Sequence, residues 1–318
     1  MKRVLVVGGA GQDGTLLAQL LRARSVDYLC LNRQGTVHPD GRPDCTGLLT
    51  DSKFVAKVIR AYAPTQVYYL AAHHHSSEDA GVDDTSLWRE SLNVQVVGLV
   101  NILEALRLEG GAAKLFYASS SHIFGSMAEA PQTEISPRAP DNVYGITKIT
   151  GMEACRYYRQ HHRLFASVGI FYNHESVYRK EKFLSQKIIR AALAIKKGRS
   201  KQLVLGDLSS EVDWGYAPDY VEAIVRILDL PQPDDFIIAT GDAHSVREFV
   251  QLAFEQVGLD YREWVTEDAS IIRRRHGSLI GDSSKLRRAT GWLPSVTFSD
   301  MVARLTSETS RFYPDLSE

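Results

Sequence analysis

Lys2-Arg3-Val4-Leu5-Val6-Val7 runs straight into Gly8-Gly9-Ala10-Gly11-Gln12-Asp13-Gly14, and this stretch decides the fold. The unbroken run of β-branched residues and leucine predicts a parallel strand buried on both faces. After the glycines comes an apolar-periodic helix, from Thr15 to about Arg24. Strand, turn and helix in this order suit a dinucleotide. Glycines permit the tight turn, admit a pyrophosphate to the backbone amides, and let helix and strand pack closely. The spacing Gly8-x-x-Gly11-x-x-Gly14 sets one glycine a position away from the usual fingerprint. A glycine turn can be purely structural, but the strand–glycine–helix order favours cofactor binding.

Further along, a second strand from Tyr28 to Leu31 ends in Asn32-Arg33. An acidic residue there would hold the ribose hydroxyls of NAD, and none is present. Arg33 either pairs with a 2′-phosphate, which favours NADP, or is a solvated arginine at a strand end. Residues 34–46 read as loop, rich in Gly, Pro and Asp, and Asp51 as the N-cap of the next helix. Val67-Tyr68-Tyr69-Leu70-Ala71-Ala72 reads as a strand leading into His73-His74-His75. Consecutive side chains of an extended segment point alternately, so these histidines do not converge on one ion and no metal site is expected. A long helix without proline is predicted from Thr85 to Leu108.

The chemistry concentrates between Tyr117 and Lys148. Tyr117-Ala118-Ser119-Ser120-Ser121-His122-Ile123-Phe124-Gly125 reads as a strand ending in small hydroxyl residues, and Asn142-Val143-Tyr144-Gly145-Ile146-Thr147-Lys148 as a helix. Positions four apart share a helix face, so Tyr144 and Lys148 point the same way. An ammonium beside a phenol favours the phenolate, a usable base near neutral pH. A serine opposite them can hydrogen-bond a substrate oxygen or the phenol. Such a set moves a proton at a carbinol while a cofactor takes or gives hydride. Tyr-x-x-x-Lys is common on helices, and the amino-terminal turn is what raises it to a candidate site.

The 318 residues exceed what one core usually serves, so a large domain and a smaller lobe are expected. Net charge is −1, which argues against nucleic acid or an anionic membrane as a bulk partner. Cys30, Cys45 and Cys155 lack ligand spacing and cannot all pair, so they read as reduced thiols of a cytoplasmic protein. No segment is expected to reach transmembrane length.

Taken together, the chain resembles the extended short-chain dehydrogenase/reductases of nucleotide sugars, and among them the GDP-mannose 4,6-dehydratase family. The likeness is carried by Gly8 to Gly14, Leu70-Ala71-Ala72, Ser119 to Gly125, Tyr144 with Lys148, Asn173-His174-Glu175-Ser176, Asp213-Trp214-Gly215 and Gly281-Asp282. It implies an α/β fold: a doubly wound parallel sheet of Rossmann type with a smaller carboxy-terminal substrate lobe. Residues 1–172 would mainly bind the dinucleotide and residues 173–318 the substrate, with the chain crossing between the two. Ser120, Tyr144 and Lys148 fall at the family's catalytic positions. Gly8, Gly11, Gln12, Asp13 and Gly14 would cradle the pyrophosphate, with Asn32 and Arg33 beyond them. Leu48 and Leu49 fall where the family has Asp-Leu at the adenine. Leu70, Ala71, Ala72, His74, Asn173, His174 and Arg179 match other cofactor positions. Ser120, Ser121, Asn173 and Lys187 are expected on the sugar nucleotide. Arg274, in the run Arg273-Arg274-Arg275-His276, is either a surface arginine or a partner of its diphosphate.

Four departures stand out. His122 replaces the family glutamate that moves the C5 proton and helps expel water from C6. Val212 replaces an arginine expected on a substrate phosphate, Val177-Tyr178-Arg179 replaces Pro-Arg-Arg, and Glu90 replaces a cofactor-adjacent tyrosine. The resemblance implies an NADP-dependent lyase of the 4,6-dehydratase type, NAD being possible, in carbohydrate biosynthesis. Its substrate would be a GDP-linked sugar, oxidised at C4 and then losing water across C5/C6, with His122 in the glutamate's place. The alternative keeps the hydride step without dehydration, as a C4 reductase, dehydrogenase or epimerase. A homodimer or homotetramer is expected.

Overall fold

The computed structural model describes residues 2–39, 43–73, 83–109, 112–126, 128–268, 270, 279–313 and 315. The opening motif folds as read: β1 (Arg3–Val7), a glycine turn, α1 (Gln12–Ala23), then β2 (Asp27–Asn32) parallel to β1. The stretch expected to be loop is not one. It holds β3 (Gly35–Val37) and β4 (Pro43–Thr46), which continue the sheet antiparallel beyond β2. Gly35 makes this pairing possible, because at φ +130° a Cβ would overlap the Cys45 carbonyl. Next, α2 (Ser52–Tyr62) starts at Asp51, whose carboxylate accepts from the amides of Lys53 and Phe54 as expected of an N-cap.

The chain continues through β5 (Gln66–Tyr69), α3 (Asp84–Leu92), a π-helical turn (Asn93–Val97) and α4 (Gly98–Leu108). Then come β6 (Lys114–Ser120), α5 (Val143–His162), β7 (Phe165–Phe171), β8 (Asn173–Glu175) and α6 (Leu184–Lys196). The last third holds β9 (Leu203–Leu205), β10 (Glu211–Tyr216), α7 (Ala217–Asp229), β11 (Asp235–Ile238), β12 (Ala243–Ser245), α8 (Val246–Glu255), β13 (Val265–Glu267), α9 (Ser284–Thr290) and α10 (Phe298–Phe312).

The large sheet has the order β11-β7-β6-β5-β1-β2-β3-β4 and is parallel except at β3 and β4. Alternation along each strand supplies both faces. Leu5, Val7, Val67 and Tyr117 pack under α2, α4 and α5, while Val4, Val6, Phe116 and Ile238 pack under α1, α7 and α9. Trp214 and Phe249 centre a separate core among α6, α8 and α10, beside smaller sheets of order β12-β10-β8 and β13-β9. Strand order reverses between β1 and β5, and such a switch point opens a ligand crevice at the carboxyl ends of the strands.

One expectation about length fails. The continuous helix Asp84–Leu108 spans 25 residues with a mean hydropathy of 1.2 in its most apolar window, enough by length and composition to cross a membrane. Its apolar side is accounted for inside the protein, since Leu99, Ile102 and Leu103 are fully buried in the sheet core.

A single carboxylate joins the late segments. Asp213 of β10 accepts from Thr240 N at 3.0 Å, Thr240 Oγ1 at 2.6 Å, Gly241 N at 3.0 Å and Gly281 N at 3.1 Å. Asp213 is itself buried, and Asp213→Ala strands these donors, the buried Gly281 amide among them, so it should cost about 3 kcal/mol or more. Urea unfolding should show this as a lower midpoint. A loss under about 1 kcal/mol would mean that the junction holds without the carboxylate.

Candidate active site

Lys148 is the most constrained side chain at the crevice. It lies one turn inside α5 and only 2% exposed, with Nζ donating to the Ala118 carbonyl at 2.6 Å. Its Nζ stands 5.5 Å from the Tyr144 ring centroid and 5.2 Å from that of Tyr117. Tyr144 and Lys148 therefore share a face, as their spacing predicts. Ser120, the last residue of β6, is also buried, and its hydroxyl hydrogen-bonds the Tyr144 phenol.

The electrostatics differ from the expected ammonium-assisted phenolate. Burial lowers the Lys148 pKa to about 7, against a smaller upward pull from Asp13. Burial pushes Tyr144 up to about 12, with Arg179 and the Ser120 hydrogen bond pulling down and Asp13 pushing up. Desolvation is the largest influence on both groups. In the chain alone, the phenol is a proton donor at neutral pH.

His122 follows in a short 3₁₀ turn, with its ring edge-on to Tyr144 at 5.6 Å between centroids. Its Nδ1 lies 3.4 Å from the Asn142 side-chain amide. Ser121 is buried in the same turn.

At the first βα turn, Gly8 adopts φ +92°, and a Cβ there would sit 2.7 Å from the Ala71 amide nitrogen. Leu70 and Ala71 thus form the second wall of the crevice, with Ala72 exposed beyond them. The N-cap of α1, Gly11, offers no side-chain hydrogen bond, which leaves first-turn amides for an anion. Gly14 lets the helix approach closely, because a Cβ there would overlap the Gly8 carbonyl. These features fit a dinucleotide pyrophosphate. Arg33 is exposed at the end of β2, while Asn32 Oδ1 accepts from the Ala10 amide at 3.1 Å and so braces the turn. Leu48 is 61% exposed, whereas Leu49 packs into the core edge.

Gln12 and Asp13 bond to their own chain. The Gln12 amide donates to the His174 carbonyl at 3.0 Å and its Oε1 accepts from Ser176 Oγ at 2.9 Å. Asp13 Oδ1 lies 3.0 Å from His174 Nε2, and His174 Nδ1 lies 2.7 Å from the Tyr172 carbonyl. The imidazole is thus held from both sides. Burial works against the Asp13 charge, but His174 and Arg179 hold its pKa below the usual value. Arg179 stacks on Phe183 at 3.9 Å and pairs with Glu175 at 3.4 Å. Asn173 is exposed at the start of β8, and Lys187 is half-buried on α6. Val212 lies half-buried against the third core and Glu90 is exposed on α3. His74 and Arg274 lie outside the described residues.

Two contributors escaped the sequence reading. Gln95, buried in the π turn, accepts from the His73 amide at 3.1 Å and donates to Thr147 Oγ1 at 2.7 Å, joining the loop after β5 to α5. A glutamine inside the apolar run Val94-Gln95-Val96-Val97 was its available signal. Asn142, the N-cap of α5, is the other.

A doubly wound sheet with a serine, a tyrosine and a lysine gathered at its carboxyl edge defines the extended short-chain dehydrogenase/reductases. Within that class the chain belongs to the GDP-mannose 4,6-dehydratase family, whose sequence profile matches residues 5–305. It is 33% identical to a GDP-mannose 4,6 dehydratase of Drosophila melanogaster, covering 95% of this chain and 84% of that one. The identity is also 33% with GDP-mannose 4,6 dehydratase 2 of Arabidopsis thaliana, over 96% of this chain and 86% of the relative. Among solved structures, RMD from Pseudomonas aeruginosa complexed with NADPH superposes with a TM-score of 0.82 at 22% identity, covering 98% of this chain and 100% of that one. The UDP-glucose 4-epimerase of Thermotoga maritima with UDP-glucose gives a TM-score of 0.85 at 19% identity, covering 98% and 99%.

The buried lysine makes a testable signature. Its folded pKa is depressed, so the unfolded chain binds more protons between about pH 7 and 10.5, and wild-type stability should gain from Lys148 as pH rises through that window. Lys148→Met should flatten this part of the pH profile in urea unfolding. Identical slopes for the two proteins would place the amine in water.

Proposed function

We propose that the protein is an NADP-dependent enzyme of the nucleotide-sugar 4,6-dehydratase type, acting first by hydride chemistry at C4 of a GDP-linked hexose. The gathering of Ser120, Tyr144 and Lys148 beside an uncapped glycine turn carries this reading. Bound nicotinamide supplies the hydride acceptor or donor. Ser120 orients the C4 oxygen, and Tyr144 exchanges the proton of that oxygen. Lys148, its pKa lowered by burial to about 7, is poised to follow that exchange electrostatically. Arg33, exposed where an acidic residue would favour NAD, supports NADP.

A second reading keeps the C4 step and omits the loss of water. It is favoured by His122, which stands in the family glutamate's place and meets the Asn142 amide at Nδ1. Product analysis separates the two: a 6-deoxy-4-keto sugar marks dehydration, and a product retaining the C6 hydroxyl marks C4 redox or epimerisation.

Tyr144→Phe keeps the ring and removes the proton, so turnover should fall at least about a hundredfold with cofactor binding retained. Activity within a few fold of wild type would remove the phenol from the mechanism. For the cofactor, Arg33→Asp should weaken NADP binding and improve NAD binding in titration calorimetry. Wild-type protein that prefers NAD would overturn this assignment.

A further inference from the structure

Gln95 is fully buried within the apolar run Val94-Gln95-Val96-Val97, where a leucine would pack without needing any partner. Its side chain depends instead on two segments 22 and 52 residues away in the chain. The first contact settles which end of the amide points where. A backbone N–H can only donate, so the atom 3.1 Å from the His73 amide is the carbonyl oxygen. The NH2 end therefore faces Thr147, also fully buried, and donates to its Oγ1 at 2.7 Å. The Thr147 hydroxyl accepts that bond and passes its own hydrogen to the backbone carbonyls of Val143 at 2.9 Å and Tyr144 at 3.1 Å. Every donor in this chain points the same way, from the loop after β5 into the first turn of α5. Bonds aligned like this strengthen one another.

Both ends of the chain lie at the crevice. At one end, His73 stands two residues beyond Ala71, whose backbone is pressed against Gly8. At the other, the accepting carbonyls belong to the turn that carries Tyr144, and Lys148 follows Thr147 directly. We propose that Gln95 is a positioning residue that makes the seating of Tyr144 and Lys148 depend on what occupies the wall after β5. This coupling rests on the reading of the crevice as a dinucleotide site. A phosphate-bearing ligand drawn against Leu70 and Ala71 steadies the His73 amide. Through Gln95 and Thr147 it also steadies the turn that bears the phenol. Tyr144 and Lys148 are then held most firmly when a dinucleotide is bound.

Hydrogen exchange of the full-length protein, read by mass spectrometry, tests this without any turnover. ADP and adenosine 2′,5′-bisphosphate are the probes. Both carry a phosphate for the glycine turn, and neither carries a nicotinamide that could touch Tyr144. In wild type, a probe should slow exchange in residues 69–73 and also in residues 143–148. The slowing at 143–148 should be at least about twofold, the low end of what a contact network transmits. Gln95→Leu keeps most of the volume and removes both hydrogen bonds, whereas Thr147→Val removes only the hydroxyl on α5. In each variant the slowing at 69–73 should persist and that at 143–148 should disappear. Thr147→Ser should bring it back.

A glutamine with a purely structural role would loosen α5 with or without probe and leave the probe's effect on it intact. Slowing at 143–148 that survives in either Gln95→Leu or Thr147→Val would overturn the proposal. So would its absence from wild type when 69–73 is slowed. If neither probe slows 69–73 in wild type, the dinucleotide reading of the crevice falls, and the coupling falls with it.

Discussion

Asp13 and His174 meet at 3.0 Å although 161 residues separate them in the chain. The contact ties the first βα turn to β8, the strand that opens the smaller sheet. Gln12 and Ser176 reinforce it from the same two segments. Its charge balance matters as much as its geometry. An unpaired carboxylate in the first turn of α1 would repel the pyrophosphate that the glycine turn is shaped to admit. His174 and Arg179 face that carboxylate and hold its pKa low, and stacking on the Tyr220 ring at 4.7 Å holds the imidazole plane in place. The walls of the crevice therefore depend on a pairing that neither segment could make alone.

The pair proposed to move a proton lives under a different constraint. Tyr144 and Lys148 are buried deeply enough that each is pushed toward its neutral form. Burial opposes an ion pair in the chain alone, and it also makes the two groups responsive to any charge placed beside them. A site of this kind spends stability to hold a lysine whose charge can change near neutral pH.

Much of this arrangement was legible in the sequence, because it follows from strong local rules. Strand, glycine turn and helix gave the first βα unit, and a spacing of four put Tyr144 and Lys148 on one face. Asp51 read correctly as a cap since capping needs only its own helix. What stayed hidden depends on partners distant in sequence. Gly35, Pro43 and Asp44 look like loop residues, and only the edge offered by β2 makes strands of their segments. Gln12 and Asp13 read as residues of the pyrophosphate turn, and nothing local shows that their side chains also bind the segment around His174. The downward shift of Lys148 could not be foreseen either, since it measures how completely the folded chain removes water.

The π turn at Asn93–Val97 changes how the long helix it interrupts should be regarded. Each residue of an α-helix advances the side-chain direction by about 100°, and a wider turn breaks that phase. The helix before it and the helix after it thus present their apolar stripes to different surroundings. Beyond the turn the stripe of Leu99, Ile102 and Leu103 is wholly inside, while before it Trp88 and Leu92 remain 36% and 38% exposed. The same rod is a core element at one end and a surface element at the other. Gln95 sits at the joint, so the phase shift that divides the helix also delivers a polar hand to the crevice.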